Sequence, residues 1–257
     1  MNNYIRSEVY RILHTKDIYL FTGLMALGIL FLNIGLYVSD GAIREFQYAN
    51  VKFSLSFLTG DMLFLPVAGA VLSVLLFSAE RRNGVMKNAV AYGISRKSLF
   101  FGKCVVSFLA ALGSMVLLIS VYVISAVILL EGPVQPYLGL MLQGVAVNLP
   151  FAAAGVILAA GLTQFFEREL VAGIVWMGVM FLIPAVFYTA GFEIPALAKI
   201  ASWMPRNYLM TDVMAGMSGY LCLWSESAGA VKCVVAGVTG IAVFMAVGVF
   251  LNRRKEI

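Results

Sequence analysis

The sequence predicts an all-α membrane protein, because it is strongly apolar, contains six long apolar runs and distributes its basic residues unevenly. Of its 257 residues, 61% are hydrophobic and 12% are charged, and the mean hydropathy is +0.94. About half of an ordinary soluble domain is apolar. Runs of roughly 18 or more apolar residues cross a bilayer as helices. The predicted spans are 18–38, 57–79, 104–130, 138–165, 170–190 and 231–251.

These spans use more than half of the chain, so residues 1–257 are predicted to form a single membrane domain. The alternative is a soluble protein with buried core helices. Most helices of such a protein would carry a polar face. The run 104–130, "CVVSFLAALGSMVLLISVYVISAVILL", has no such face, which argues against the soluble alternative.

The first twenty residues are predicted to form an amphipathic helix. Ile5, Val9 and Ile12 recur at helical spacing, while Arg6 and Arg11 occupy other positions. Such a helix is suited to the inner headgroup layer of the membrane. An irregular tail is the alternative. The first span is too long for a signal-peptide core and lacks a small-residue cleavage site, so we expect it to remain as an anchor.

Polar groups within the predicted spans are few. Asp61 is the single carboxylate, and intramembrane charges are costly and often functional. Asp61 and Asn148 are therefore candidates for a substrate pathway, although Asp61 lies near the outer surface and a structural interfacial role is equally open. Pro150 and Pro184 mark local breaks in backbone hydrogen bonding, either as kinks in moving helices or as packing irregularities.

Residues 79–103, "AERRNGVMKNAVAYGISRKSLFFGK", join spans 2 and 3 and hold six of the eighteen Lys and Arg residues. Good helix formers follow Glu80, Gly93 interrupts them, and Ser95 offers an N-cap for the next helix. The pattern predicts a short helix and a turn held tightly between two spans. The alternative is that the basic residues only keep this segment on the cytoplasmic side of the membrane. That role alone would explain Arg81, Arg82 and Lys97.

The segment between spans 5 and 6, about 191–230, is long but not hydrophilic. Apolar residues at i, i+3, i+4 and i+7 predict a helix over 197–204, which Pro205 is expected to end. A second short helix is predicted over 209–217. Both helices are too short to span a bilayer, so we expect them to be interfacial or re-entrant.

The basic residues predict the orientation of the chain. Thirteen of the eighteen lie before span 1, between spans 2 and 3, between spans 4 and 5, or after span 6; five lie on the other side. Lys and Arg resist translocation across the membrane. Both termini and residues 80–103 are therefore predicted to be cytoplasmic. The net charge of +5 reflects this orientation, and no nucleic-acid partner is expected.

Motifs for catalysis are absent from the sequence. A phosphate-binding loop reads G-x-x-x-x-G-K-[ST], and the nearest match, at Gly102–Lys103, lacks the first glycine and the final Ser or Thr. His14 is the single histidine and precedes the first span, so an intramembrane hydrolase or metal site is not expected. Whether Cys222 and Cys233 pair is left open. We predict a protein that is not an enzyme and binds no cofactor itself.

One family resembles this chain. In this chain, the residues E80-R-R-N-G84, G93-I-S95-R96 and G102-K103 are similar to the cytoplasmic segment of type-2 ABC transporter permeases. Those proteins typically carry an acid and a glycine after span 2, a small–Ser–Arg turn, and Gly–Lys at the start of span 3. The amphipathic N-terminal helix, the six spans and the re-entrant segment are also similar. Val85 and Ile94 depart from the family, which often has Thr and Pro there.

The resemblance implies an ATP-driven exporter in the bacterial plasma membrane. Residues 1–257 would form its permease domain, paired with a second copy as a homodimer and with two separate ABC ATPase chains that bind ATP and Mg. The cargo would be an amphipathic or hydrophobic molecule taken from membrane lipid, such as an antimicrobial peptide. A membrane scaffold, a sensor or a secondary transporter is the alternative. The residues implied at the ATPase-coupling interface are Glu80, Arg81, Arg82, Gly84, Lys87, Ser95, Arg96 and Lys103, with Arg6 and Arg11 on the N-terminal helix.

Overall fold

The computed structural model describes the backbone of residues 2–43, 46–82, 96–216 and 220–254, and the side chains of 6–43, 46–77, 98–216 and 220–251. Most of the described residues are helical. The helices are α1 (Asn2–Leu13), α2 (Lys16–Ala42), α3 (Val51–Gly60), α4 (Phe64–Arg82), α5 (Arg96–Leu129), α6 (Tyr137–Phe165), α7 (Glu169–Met177), α8 (Ile183–Ala190), α9 (Pro195–Ala201), α10 (Pro205–Thr211) and α11 (Ser227–Arg254). A π-helical turn, Gly178–Leu182, joins α7 to α8, and a 3-10 turn, Leu223–Ser225, precedes α11.

The prediction of an all-α membrane protein is confirmed. Within the described ranges, five helical stretches are long and apolar enough to cross a membrane: α2, α5, α6, the run from α7 to α8, and α11. Helices α3 and α4 meet at 65° and supply a sixth span when counted as one. This span thus begins at Val51, six residues before the predicted start at residue 57, and its helix is interrupted at residues 61–63. Pro66 lies in the first turn of α4. Backbone N–H groups in the first turn have no acceptor within the helix, so a proline is tolerated there.

Helix α6 is the centre of the bundle. Within its most apolar 18-residue stretch, 78% of the residues are buried, against 28% or less in the other four spans. Helices α4 and α11 pack along it. A Cβ atom placed on Gly237 would lie 2.6 Å from the backbone nitrogen of Phe151, so α11 and α6 are in direct backbone contact. Small residues at such crossings let membrane helices approach closely.

The fifth span is irregular before Pro184. A proline inside a helix cannot donate to the carbonyl four residues earlier and clashes with it. The π-helical turn Gly178–Leu182 ends just before this proline, which lies in the first turn of α8. The carbonyl of Pro184 accepts a hydrogen bond of 2.8 Å from Asn207 Nδ2, which fixes α10 against α8. Pro150, in contrast, lies inside the continuous helix α6.

The segment between spans 5 and 6 contains two short helices and a β-hairpin. The first helix, α9, ends at Ala201, and Pro205 begins α10 rather than ending its predecessor. The predicted helix over 209–217 is wrong beyond Thr211: β1 (Val213–Ala215) pairs antiparallel with β2 (Tyr220–Cys222). Apolar residues four apart suggested a helix, but the strand pairing and a 3.0 Å hydrogen bond from Tyr220 Oη to Thr59 Oγ1 favour the hairpin.

We call the two ends of the bundle the coupling end, after the prediction made for residues 80–103, and the hairpin end. The coupling end contains α1, the end of α4, the start of α5, the turn between α6 and α7, and the end of α11. The hairpin end contains residues 46–50, 130–136 and α9 to the 3-10 turn. There the amide of Val51 donates to the carbonyl of Glu131 at 3.0 Å, which ties the start of α3 to the end of α5.

Candidate functional site

Among the α1 side chains that the structure describes, 6–13, Ile12 is the apolar residue that is buried against the bundle. Ile12 is 9% exposed and belongs to a cluster with Leu72, Leu76 and Val106 of α4 and α5. Val9, on the same predicted apolar face, is exposed. The amphipathic pattern therefore predicted the helix correctly, but only part of its apolar face packs against protein.

A buried carboxylate accompanies this apolar contact. Glu8 is 5% exposed and accepts hydrogen bonds from Arg11 at 2.7 Å (Nη2) and 3.3 Å (Nε). Lys103 of α5 is also buried, and its Nζ lies 5.0 Å from the centre of the Phe77 ring. All four residues line one small cavity of about 10 Å³. Buried charges are costly unless they are paired. Arg11 pairs with Glu8 inside α1, and the charge that faces them from α5 in the shared cavity is Lys103.

The structure describes the predicted coupling residues to different extents. Lys103 is the one whose side chain is described. For four others only the helical backbone is described, at the end of α4 and the start of α5: Glu80, Arg81, Arg82 and Arg96. Three lie outside the described residues: Gly84, Lys87 and Ser95.

The helix ends that flank this segment lie side by side. Phe77 of α4 and Phe100 and Cys104 of α5 belong to one buried cluster with Ile157 of α6. A Cβ atom on Gly248 of α11 would meet the ring of Phe100, so the end of α11 packs there as well. Helices α4, α5, α6 and α11 are thus tightly packed against one another at this end of the bundle.

Of the basic residues predicted on α1, Arg11 lines the cavity that contains Glu8 and Lys103, and Arg6 does not. The Arg11 side chain is 26% exposed and pairs with Glu8, while Arg6 is exposed on the surface of α1. Sequence reasoning missed Glu8, although its position one turn before Ile12 places the two on the same side of a helix.

The two candidate pathway residues occupy different environments. Asp61 is exposed at the break between α3 and α4, where its backbone carbonyl accepts from Phe64 N at 3.2 Å. Asn148 is fully buried in α6; its Nδ2 donates to the carbonyl of Gly144 at 2.8 Å, and its Oδ1 has no hydrogen-bond partner. Neither residue lines the groove described next.

An apolar groove of about 600 Å³ lies between α4 and α7. Its walls include Val67 and Val74 of α4 and Leu170 of α7, and Ala159 of α6 forms the floor. Trp176 also lines it and donates from Nε1 to a backbone carbonyl of α6, that of Gly155, at 2.9 Å. The polar side chains of the groove lie at its coupling end, where Thr163 and Glu169 are placed. Sequence reasoning missed Glu169, because its place beside a groove depends on tertiary packing.

A second polar feature lies between α2, α3 and α5. Asn33 Nδ2 donates to Ser125 Oγ at 2.7 Å and to the carbonyl of Tyr122 at 3.1 Å, and Ser54 Oγ donates to Asn33 Oδ1 at 2.8 Å. The Tyr122 hydroxyl donates to the carbonyl of Ser54. All donors and acceptors named here are paired, so this buried network attaches the peripheral helix α2 to the bundle.

Metal-binding and disulfide chemistry find no support in the described part of the chain. No group of three or more His, Cys, Asp or Glu residues is placed there to hold a metal ion. Cys104, Cys222 and Cys233 are all buried and free. Burial raises the pKa of the Cys222 thiol to about 11, so it remains protonated at neutral pH.

The comparisons with known proteins identify one family. A model of the ABC-2 family transporter proteins matches residues 4–184, which extend from α1 to the start of α8. The match therefore includes both walls of the groove and, at the coupling end, the parts that α4, α5 and α6 contribute; α11 lies beyond the matched residues. Comparison with curated proteins and with solved structures finds no match.

Proposed function

This chain belongs to the ABC-2 family of transporter proteins, and on that basis we propose that it is the permease subunit of an ATP-driven exporter. The observation that carries the proposal is the family match over residues 4–184, because it contains α1 and the whole connection between α4 and α5. The chain is a multi-pass membrane protein. ATP and Mg would be bound by a separate ABC ATPase, present in two copies.

The connection between α4 and α5 is proposed as the ATPase-coupling segment, with Glu80, Gly84 and Arg96 as its central contacts. The packing at the coupling end supports this role. Because α4, α5, α6 and α11 meet there in one buried cluster, a push on the segment would act on packed helices rather than on a loose loop. Helix α1 would move with α4 and α5, since Ile12 belongs to a cluster with residues of both helices and Glu8 lines a cavity with Phe77 and Lys103.

The distribution of Lys and Arg supports a cytoplasmic location for this end and for both termini. We place the protein in the bacterial plasma membrane, as a dimer of identical permease chains. The apolar groove between α4 and α7 supports a cargo with an apolar part that enters from the lipid, such as an amphipathic peptide or antimicrobial.

Coupling is tested with the full chain and its ATPase partner in lipid nanodiscs. We expect an ATPase chain to copurify with the permease and its ATP hydrolysis to depend on it. Glu80→Ala and Arg96→Ala should lower this stimulation while membrane insertion and yield stay normal. Lys97→Ala is the matched control, because it removes a neighbouring positive charge that serves equally well as an anchor. Stimulation at the wild-type level in both test variants would contradict the coupling role.

A further inference from the structure

The geometry points to a positively charged amphipath as the occupant of the groove between α4 and α7, with Glu169 as the residue that selects its charge. This inference rests on the proposed export function, since the occupant would be the cargo or a close mimic of it. The ligand would place an aliphatic segment along the groove and an ammonium or guanidinium group beside Glu169.

The walls of the groove fit an extended apolar segment. On α4, Val67, Val71 and Leu75 recur every four residues and line the groove along the helix axis. On α7 the lining extends from Glu169 to Met177. Eight residues of α-helix rise about 12 Å, so both walls are long enough for a medium alkyl chain or for two or three apolar side chains of a peptide.

The charge of the groove is concentrated at one end. Glu169 is the single ionisable residue among the described residues that line it. It is exposed and lies in the first turn of α7. Thr163 nearby donates its hydroxyl to the carbonyl of Ala159 at 2.7 Å. Arg168 precedes Glu169 in the chain but does not line the groove.

This arrangement matches one ligand chemistry better than the others. A cation is attracted to Glu169, and the low-dielectric walls strengthen that attraction. An anionic lipid would bring its headgroup against the same carboxylate, which is repulsive. A neutral hydrocarbon would use the walls but leave Glu169 without a role. The groove therefore favours cations over anions and neutral molecules of equal length.

Binding is measured by quenching of Trp176, which lines the groove. The full chain carries Trp203→Phe and is reconstituted in zwitterionic nanodiscs. Trp224 remains as an internal reference, because it is fully buried at the hairpin end. The probes are three tail-brominated alkyl compounds of equal chain length: a trimethylammonium, an alcohol and a carboxylate. We expect quenching of Trp176 at the lowest concentration with the ammonium probe.

The variants then assign the selectivity. Glu169→Gln should lower the affinity for the ammonium probe about three- to fivefold, which is the effect expected from losing an exposed ion pair. The affinity for the alcohol probe should not change. Glu169→Lys should favour the carboxylate probe. Glu167→Gln is the matched control for surface charge, because Glu167 is two residues away and does not line the groove.

Three outcomes would overturn the inference. The first is equal quenching by all three probes. The second is an effect of Glu167→Gln on the ammonium probe as large as that of Glu169→Gln. The third is absence of quenching together with crosslinking between two chains through Ile174→Cys, which would make a second copy the occupant. The assay needs no ATPase. Failure of charge selection is therefore distinguishable from failure of the export proposal, which the ATPase measurements test separately.

Discussion

Replacing Glu8 by alanine removes the acceptor of the two hydrogen bonds that Arg11 donates at 2.7 and 3.3 Å. Hydrogen bonds to charged groups contribute about 1.5–3 kcal/mol, and removing one member of a fully buried ion pair costs about 3–5 kcal/mol. The Arg11 side chain is 26% exposed, so water can reach the guanidinium after the substitution. Both partners of this pair belong to α1, so its loss affects docking through the cavity that Glu8 shares with the buried Lys103 ammonium of α5. Removing the carboxylate takes a countercharge away from Lys103 in the docked state, and we expect α1 docking to weaken by about 2 kcal/mol, or about 30-fold in its opening equilibrium.

Hydrogen exchange of the α1 amides in nanodiscs measures this opening. Glu8→Ala should accelerate exchange about 30-fold in α1 and leave α6 unchanged. Glu8→Gln keeps an acceptor oxygen and should have a smaller effect. Arg6→Ala is the control on the exposed side of α1, where substitutions change stability by about 0.5 kcal/mol or less. If Ile12→Ala accelerates exchange but Glu8→Ala does not, apolar packing alone holds α1 and the reasoning about the buried carboxylate is wrong.

Three other predictions concern packing and protonation. Gly144→Val should destabilise the protein by about 1–3 kcal/mol, because its Cβ would lie 2.6 Å from the Trp224 ring; Gly113→Val, with no atom within 4 Å of its Cβ position, should leave the thermal midpoint almost unchanged. Trp176→Phe should cost about 1 kcal/mol in thermal stability through loss of its 2.9 Å hydrogen bond, and an unchanged midpoint would contradict this. Cys222, as the sole cysteine of a variant, should react with maleimide at pH 7 far more slowly in the folded than in the denatured protein. Its folded-state pKa is raised, so the stability that it contributes is present below pH 9.0 and lost as the pH rises to about 11.

The membrane fold was predictable because hydropathy acts locally. A run such as 104–130 must span a bilayer whatever its neighbours are, and the structure places it in α5, Arg96–Leu129. The family was predictable from the order of charged and small residues in 79–103, and the family match agrees with that assignment. Neither inference required knowledge of which residues meet in space.

Other features depend on tertiary contacts and were not predictable. They are the helix break at 61–63, the β-hairpin, and the environments of Glu8 and Glu169. Val213 fits a helical pattern as well as a strand, and only pairing with Cys222 decides between them. Glu8 and Glu169 read as ordinary surface charges in the sequence. Their environments come from α1 docking on α4 and α5 and from α7 packing beside α4.

Helix α4 connects the proposed coupling segment to the proposed cargo groove. Five of its residues between 67 and 75 line the groove, and the next two residues line the cavity beside Glu8. The helix ends at Arg82, within the proposed coupling segment. From Leu75 to Arg82 the helix rises about 10 Å, and a helix transmits displacement along its axis because its backbone hydrogen bonds are internal. Helix α6 behind it is the most buried span among the described residues and forms the floor. A force on the coupling segment would therefore shift one wall of the groove against a fixed floor, which changes the width of the groove without requiring the whole bundle to rearrange.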